Sequence, residues 1–350
     1  MPPAKIFLST SITSFRECRF NIQFSKSLCM SQLPHFTSKA FLAPMAGVSD
    51  PALRIMCKKM GAGLVVTELT SVNAIVAKHK QLESQSKNIT EFIEFSEKER
   101  PLSVQLFGSD IHALEKAAKI VAPHFDMIDY NMGCPAPHIT KQMAGGALLQ
   151  NSDLTRDIFR TLVNCVKKPI SLKMRMGVTE ENKSLFLEIS KIAEQEGIQM
   201  MTLHPRTVSQ GYSGHSDWDM IKKLKQNVSV PVVGNGDITS PEIAKKVLDY
   251  TGCDYIMIGR GAMGNPFIFE QINDYLECGS YKQYSLTDRL EAFVTYLELT
   301  SNYNIRFANI KQQAIRFTKG TVGGAQLRNR LSTTKTIDEL KEMLLQKVIV

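Results

Sequence analysis

The sequence has no apolar run approaching the roughly 18 residues a membrane-crossing helix needs, so no membrane association is expected. It has no C-x-x-C pair either. The seven cysteines, Cys18, Cys29, Cys57, Cys134, Cys165, Cys253 and Cys278, are odd in number and widely spaced. Neither a zinc ribbon nor an iron–sulfur ligand run is supported, and no metal site is expected. A reduced, intracellular setting, the cytoplasm, follows as an expectation, with packing as the expected role of every cysteine except Cys134. Net charge is also missing from the body of the chain. Of the formal +8, residues 1–38 carry +3, residues 278–350 carry +5, and residues 39–277 sum to zero. A neutral body with a basic tail fits an enzyme carrying an anion-binding module; ordinary solvated helix faces fit that charge equally well.

Residues 1–38 are rich in Ser, Thr and Phe, poor in acids, and aperiodic. They read as a leader or unstructured extension. They are either a transit-like segment that would send the protein to an organelle or an over-extended start before Met30. From residue 41 short apolar or β-branched runs alternate with amphipathic stretches. The runs are 41–45, 64–67, 102–106, 127–131, 170–175, 200–204, 230–234 and 255–259. Helices are expected over 110–121, 153–166, 180–196, 216–225 and 240–250, with Ser240 as a cap and Pro241 in the first turn. Eight β/α units in 39–277 predict an α/β fold, a closed (β/α)8 TIM barrel; an open doubly wound sheet is the competitor. After about residue 278 strand signals stop. A small all-helical domain is expected over 278–350, with helices at 287–300, 305–319 and 336–347 broken by Gly320, Gly323 and Gly324.

Barrel enzymes carry their chemistry at the C-terminal ends of the strands. There the sequence places Pro44-Met45-Ala46-Gly47, Gln105, Asn131-Met132-Gly133-Cys134-Pro135, Lys173 and Arg175, His204-Pro205-Arg206, Gly234-Asn235-Gly236-Asp237, and Gly259-Arg260-Gly261. The last two loops are glycine-rich, and Arg260 adds a cation, which suits a phosphate. Residues 259–264 spell G-x-G-x-x-G, but after the last strand and without an acid near residue 284, so a dinucleotide fold is rejected. A phosphate there, with Gln105, Lys173 and His204 across the mouth, suits FMN; a lysine near the N1/O2 edge stabilises a reduced flavin. A lysine between Leu172 and Met174 is costly to bury without a partner, which favours function for Lys173. Function is also favoured for His204 over the role of a satisfied core histidine, and Gln105 is open between the two. Cys134 lies in a loop shaped by Gly133, Pro135 and Pro137. A free thiol, with a pKa near about 8.5, is mostly protonated at pH 7 and is a workable proton donor.

Taken in order, these segments resemble the tRNA-dihydrouridine synthase family. The matching pieces are 41–50, Asn131–Pro135 followed by 144–149, Lys173–Gly177, His204–Thr207, Tyr212–Gly214 and Gly234–Ile238, and the match covers roughly 41–335. The resemblance implies an FMN enzyme, reduced by NADPH (or NADH), that converts a uridine of tRNA to dihydrouridine. Hydride would pass from flavin N5 to C6 and a proton from Cys134 to C5. Pro44, Met45, Ala46, Gln105, Lys173, His204, Asn235, Gly236, Asp237, Gly259 and Arg260 would bind FMN. Asn131, Lys141, Arg206 and Tyr212 would face the uridine or its phosphates, and the helical tail would grip tRNA. A monomer is expected. Flipping a base out of its stack agrees with a site at a barrel mouth, and the basic tail supplies phosphate attraction. Two positions depart from the family pattern: Met143, where many members have Gly, and Gln312-Gln313, where bacterial members commonly have Lys-His. A dihydroorotate-dehydrogenase-like enzyme acting on a free pyrimidine, and a non-catalytic RNA-binding barrel, are the alternatives.

Overall fold

The computed structural model describes residues 32–318 and 324–348. Eight parallel strands form its centre: β1 Ala40–Leu42, β2 Leu64–Val66, β3 Leu102–Phe107, β4 Met127–Met132, β5 Ile170–Gly177, β6 Met200–Thr207, β7 Val232–Asn235 and β8 Tyr255–Ile258. Each pairs with the next, and β8 returns to β1 through Ala40↔Ile256 and Leu42↔Ile258. The sheet is closed, as the eight apolar runs predict, and has no edge to protect. A two-residue strand, Thr70–Ser71, adds to the top of β3.

Each strand is followed by a helix: α1 Pro51–Lys59, α2 Val72–Glu83, α3 Ile111–Val121, α4 Ser152–Cys165, α5 Leu185–Glu196, α6 Trp218–Asn227, α7 Pro241–Thr251 and α8 Ile268–Cys278. Ser240 accepts from the Ile243 N–H and Pro241 opens α7, as the capping rule requires. The expected 180–196 helix starts late. Asn182 Oδ1 accepts from the N–H groups of Val178 and Thr179 (both 2.8 Å), which folds that stretch back onto the end of β5.

Strand residues alternate between the helix layer and the barrel interior. The interior floor is apolar, built from Phe41, Leu64, Met127, Met200 and Met257. Leu33 and Phe36 pack on it from below, and the Phe36, Phe41 and Tyr255 rings lie 4.8–5.3 Å apart. Leu33 and Phe36 fall within the 1–38 segment expected as a leader, and they cover the apolar floor against water. The rest of the expected leader, including Met30, lies outside the described residues. Above the floor the interior turns polar, with Ser103, Asp129, Ser171 and Thr202, then Gln105, Asn131, Lys173, His204 and Asn235.

Beyond α8 come α9 Leu286–Thr300, α10 Phe307–Phe317, α11 Gly324–Thr333 and α12 Ile337–Val348. The α11 helix was not legible, because glycine spacing reads as a break. Phe293, Tyr296 and Phe317 pack together in a buried core. The helices grip two barrel loops. Tyr296 OH donates to Asp50 Oδ2 (2.8 Å), and Gln313 Nε2 to the Val48 carbonyl (2.9 Å). At Gly264, φ +67°, a Cβ would fall 2.4 Å from the Arg316 carbonyl carbon. Gln313 is fully buried, so the departure from Lys-His falls, at that position, on an internal staple.

Candidate active site

All the strand-end residues named from sequence stand at one mouth. The loop after β4 is held by Asn131, whose Oδ1 accepts from the N–H groups of Gly133 (3.1 Å) and Cys134 (3.0 Å). Its Nδ2 donates to Gln105 Oε1 (2.8 Å), and Gln105 Nε2 to Asp129 Oδ2 (2.6 Å). Arg175 donates to the carbonyls of Gly133 (2.9 Å), Thr207 (2.7 Å) and Gly211 (2.8 Å), tying this loop to the one after β6. Gly145, at φ +58°, lies so close that a Cβ would come within 2.9 Å of the Cys134 carbonyl oxygen. The Gly145-Gly146 pair therefore lets the backbone press against the Cys134 loop. Met143 sits at φ +52° and is 47% exposed, in a conformation that favours the Gly common in the family.

Lys173 donates to Asn235 Oδ1 (3.0 Å), whose Nδ2 donates to the Met257 carbonyl (2.7 Å). Loss of water around the ammonium, with repulsion from Arg175, lowers its pKa to about 8, against the pull of Asp129 and Cys134. His204 is pushed down to about 2 by burial and by Lys173, Arg175, Arg206 and Arg260. It is therefore neutral. Arg206 Nη1 lies 3.3 Å from its Nε2, and since arginine only donates, Nδ1 carries the proton.

Arg206, which the resemblance would turn toward the uridine or its phosphates, is bonded within the protein in this structure. It is 1% exposed. It donates to the carbonyls of Ser213 (3.2 Å) and Gly214 (2.8 Å), to Ser216 Oγ (2.8 Å) and to Asp237 Oδ2 (2.8 Å). It clamps the loop after β6 to the turn after β7. Asp237, at φ +57°, also accepts from the Ser216 N–H and from Arg260 Nη2 (2.8 Å each). Burial, which would raise its carboxyl, is outweighed by these donors, and the pKa falls. At Gly236, φ +132°, a Cβ would fall 2.1 Å from Ser216 Oγ, whereas at Gly259 the nearest atom is Met45 Sδ at 3.6 Å. The rim thus holds one turn that tolerates no side chain and one with room beside it. Tyr212 is 61% exposed, with the guanidinium groups of Arg175 (5.7 Å) and Arg260 (5.2 Å) near its ring centre. Lys141 stands exposed after the short helix Pro137–Thr140.

Cys134 also opens on a cleft of about 980 Å3 between the mouth and the C-terminal helices, lined by Ala46, Gly47, His138, Arg306 and Asn309 among others. Glu68 Oε2 accepts from the Gly47 N–H (2.8 Å) and fixes its rim. Arg306 and Asn309 were missed from sequence, because nothing local says that the start of α10 faces the end of β4.

A dihydrouridine synthase family model matches residues 41–350. The protein called tRNA-dihydrouridine synthase B of Yersinia pestis is 41% identical, over 71% of this chain and 76% of its own. That of Vibrio vulnificus is 44% identical over 69% and 73%. In fold, the chain resembles the histamine dehydrogenase of Rhizobium sp. 4-9, with a TM-score of 0.53 and 14% identity over 76% of this chain. The match spans half the length of that longer protein. The family model over residues 41–350 and relatives at 41–44% identity place this closed barrel in the dihydrouridine synthase family.

Proposed function

We propose that the protein is a tRNA-dihydrouridine synthase, and that the mouth residues hold FMN reduced by NADPH. The observation that carries the reading is a thiol, a buried-stem lysine and two glycine turns around one opening. The donor set suits an anionic, heteroatom-edged ring. Lys173 and Arg260 are cations, neutral His204 offers Nδ1–H, and Gly236 leaves no bulk at its turn. Beneath them, Ser103 Oγ and Thr202 Oγ1 are buried without partners among the described residues. When bound, the reduced flavin supplies a hydride to C6 of the target uridine. Cys134 donates the proton that completes reduction at C5. Lys173 holds charge at the ring edge, Arg260 and the turns at 234–237 and 259–261 hold the phosphate, and Pro44, Met45 and Ala46 flank the ring. Tyr212 and Lys141 stand at the rim, where the nucleotides beside a flipped base would pass. The cleft from Cys134 to Arg306 admits that base, and residues 278–350 bind the tRNA backbone.

The purified protein is expected to be yellow, and tRNA from cells lacking it to lose dihydrouridine at one set of positions. Cys134→Ala is expected to keep its flavin and lose at least about 10²-fold in dihydrouridine formation. Unchanged product formation would remove Cys134 from the chemistry. Turnover of free orotate with no effect on tRNA would sink the reading itself.

A further inference from the structure

Asp129 has no part in that chemistry, yet it is a carboxyl group enclosed in the barrel interior, 3% exposed. It lies on β4 two residues before Asn131, on the same inward face. Ser171 Oγ donates to its Oδ1 and Gln105 Nε2 to its Oδ2, both at 2.6 Å. From there a line of side-chain bonds climbs through Gln105 and Asn131 to the backbone of Cys134.

This line has a direction, and both ends impose the same one. The N–H groups of Gly133 and Cys134 can only donate, so Asn131 must turn its oxygen up and its NH2 down. Gln105 must then turn its oxygen up to meet that NH2 and its own NH2 down. The group below must accept, and a carboxylate does nothing else. Turning over either amide sets acceptor against acceptor at one link and donor against donor at the other, in a place where an unpaired group is costly. Burial raises the Asp129 pKa, against the bonds from Gln105 and Ser171 and the field of Lys173. Protonation would not reverse the line. The proton can sit on Oδ1, with the Ser171 hydroxyl turned to accept, and Oδ2 still accepts from Gln105.

We infer that Asp129 is a positioning residue for proton delivery: as terminal acceptor of the Gln105–Asn131 line, it fixes the orientation of Asn131 and with it the place of Cys134 at the mouth. The inference rests on the reading of Cys134 as proton donor.

Three variants test it in the flavin-loaded protein, with reduction by NADPH and reoxidation by tRNA followed separately. Asp129→Asn keeps an oxygen for Gln105 and turns its NH2 to Ser171 Oγ, so both half-reactions stay within about threefold of wild type. Asn131→Asp makes both ends acceptors. The single NH2 of Gln105 cannot serve two carboxylates on opposite sides, and reoxidation by tRNA slows at least about tenfold, the scale of a small misplacement. Adding Asp129→Asn to Asn131→Asp supplies a donor from below. Gln105 turns over, every link is again paired, and reoxidation recovers most of that loss. Reduction by NADPH, which reports on the flavin contact expected of Gln105, loses less than reoxidation does in Asn131→Asp. A double variant no faster than Asn131→Asp, or equal losses in both half-reactions, overturns the inference. A wild-type enzyme that tRNA does not reoxidise overturns the functional reading instead.

Discussion

A histidine ringed by cations is the sharpest single-residue consequence of this mouth. His204 would protonate near 6.5 in the unfolded chain but only near about 2 when folded. Between those values the unfolded state binds the proton and the native state does not, so stability is lost progressively as pH falls from about 6.5 toward about 2. Urea midpoints of wild type and His204→Gln between about pH 7 and pH 4 should show a shallower loss in the variant; parallel curves would show that the ring titrates normally. At this scale the sequence was readable where chemistry is stark. A lysine flanked by Leu172 and Met174, and a thiol between Gly133 and Pro135, both mark themselves. The partners of Arg206 were not legible, because the carbonyls of Ser213 and Gly214 return to it only through the folded loop. Asp129 shares the inward alternation of Asn131 and was passed over, since nothing local says that its partners are two amides in line.

Turns and helices respond to steric demands and to buried charge. Gly236→Ala puts a Cβ on Ser216 Oγ at a backbone angle open to glycine. It is expected to cost about 1–3 kcal/mol and to loosen flavin retention, seen as a lower thermal midpoint and a paler protein. On the far side of the mouth, Arg54 of α1 pairs with Glu99 (2.5 Å), both almost fully buried, and also donates to the carbonyls of Ser49 and Glu94. Removing one member of such a pair strands the other. Glu99→Ala is expected to destabilise by about 3–5 kcal/mol, measured by denaturant unfolding; a change below about 1 kcal/mol would mean that water reaches Arg54. Strand identity came through in the sequence because a closed parallel sheet needs short apolar runs between caps. Helix limits came through less well, since α5 is delayed by the Asn182 side chain and α11 follows glycines that imitate a stop.

For the molecule as a whole, the cleft makes an electrostatic prediction. Arg306→Ala is expected to weaken tRNA binding and to reduce the slope of log affinity against log salt by about 1, as for one lost phosphate contact. An unchanged slope would place Arg306 away from the backbone. The basic tail was visible in the sequence, but its charge alone could not say which cation meets the cleft, because that depends on how α10 lies against the mouth.

The loops that the C-terminal helices grip, 48–50 after β1 and Gly264 after β8, border the β1–β8 junction, where the first and last strands of the ring meet. A ring made from one chain has at such a junction no chain connection between its ends, which are held by hydrogen bonds and side-chain packing alone. Here the join is bolted from outside. To spring the hoop, heat or denaturant must first prise off the bolt, so secondary structure and flavin should be lost together in one transition, with Gly264→Ala slackening both.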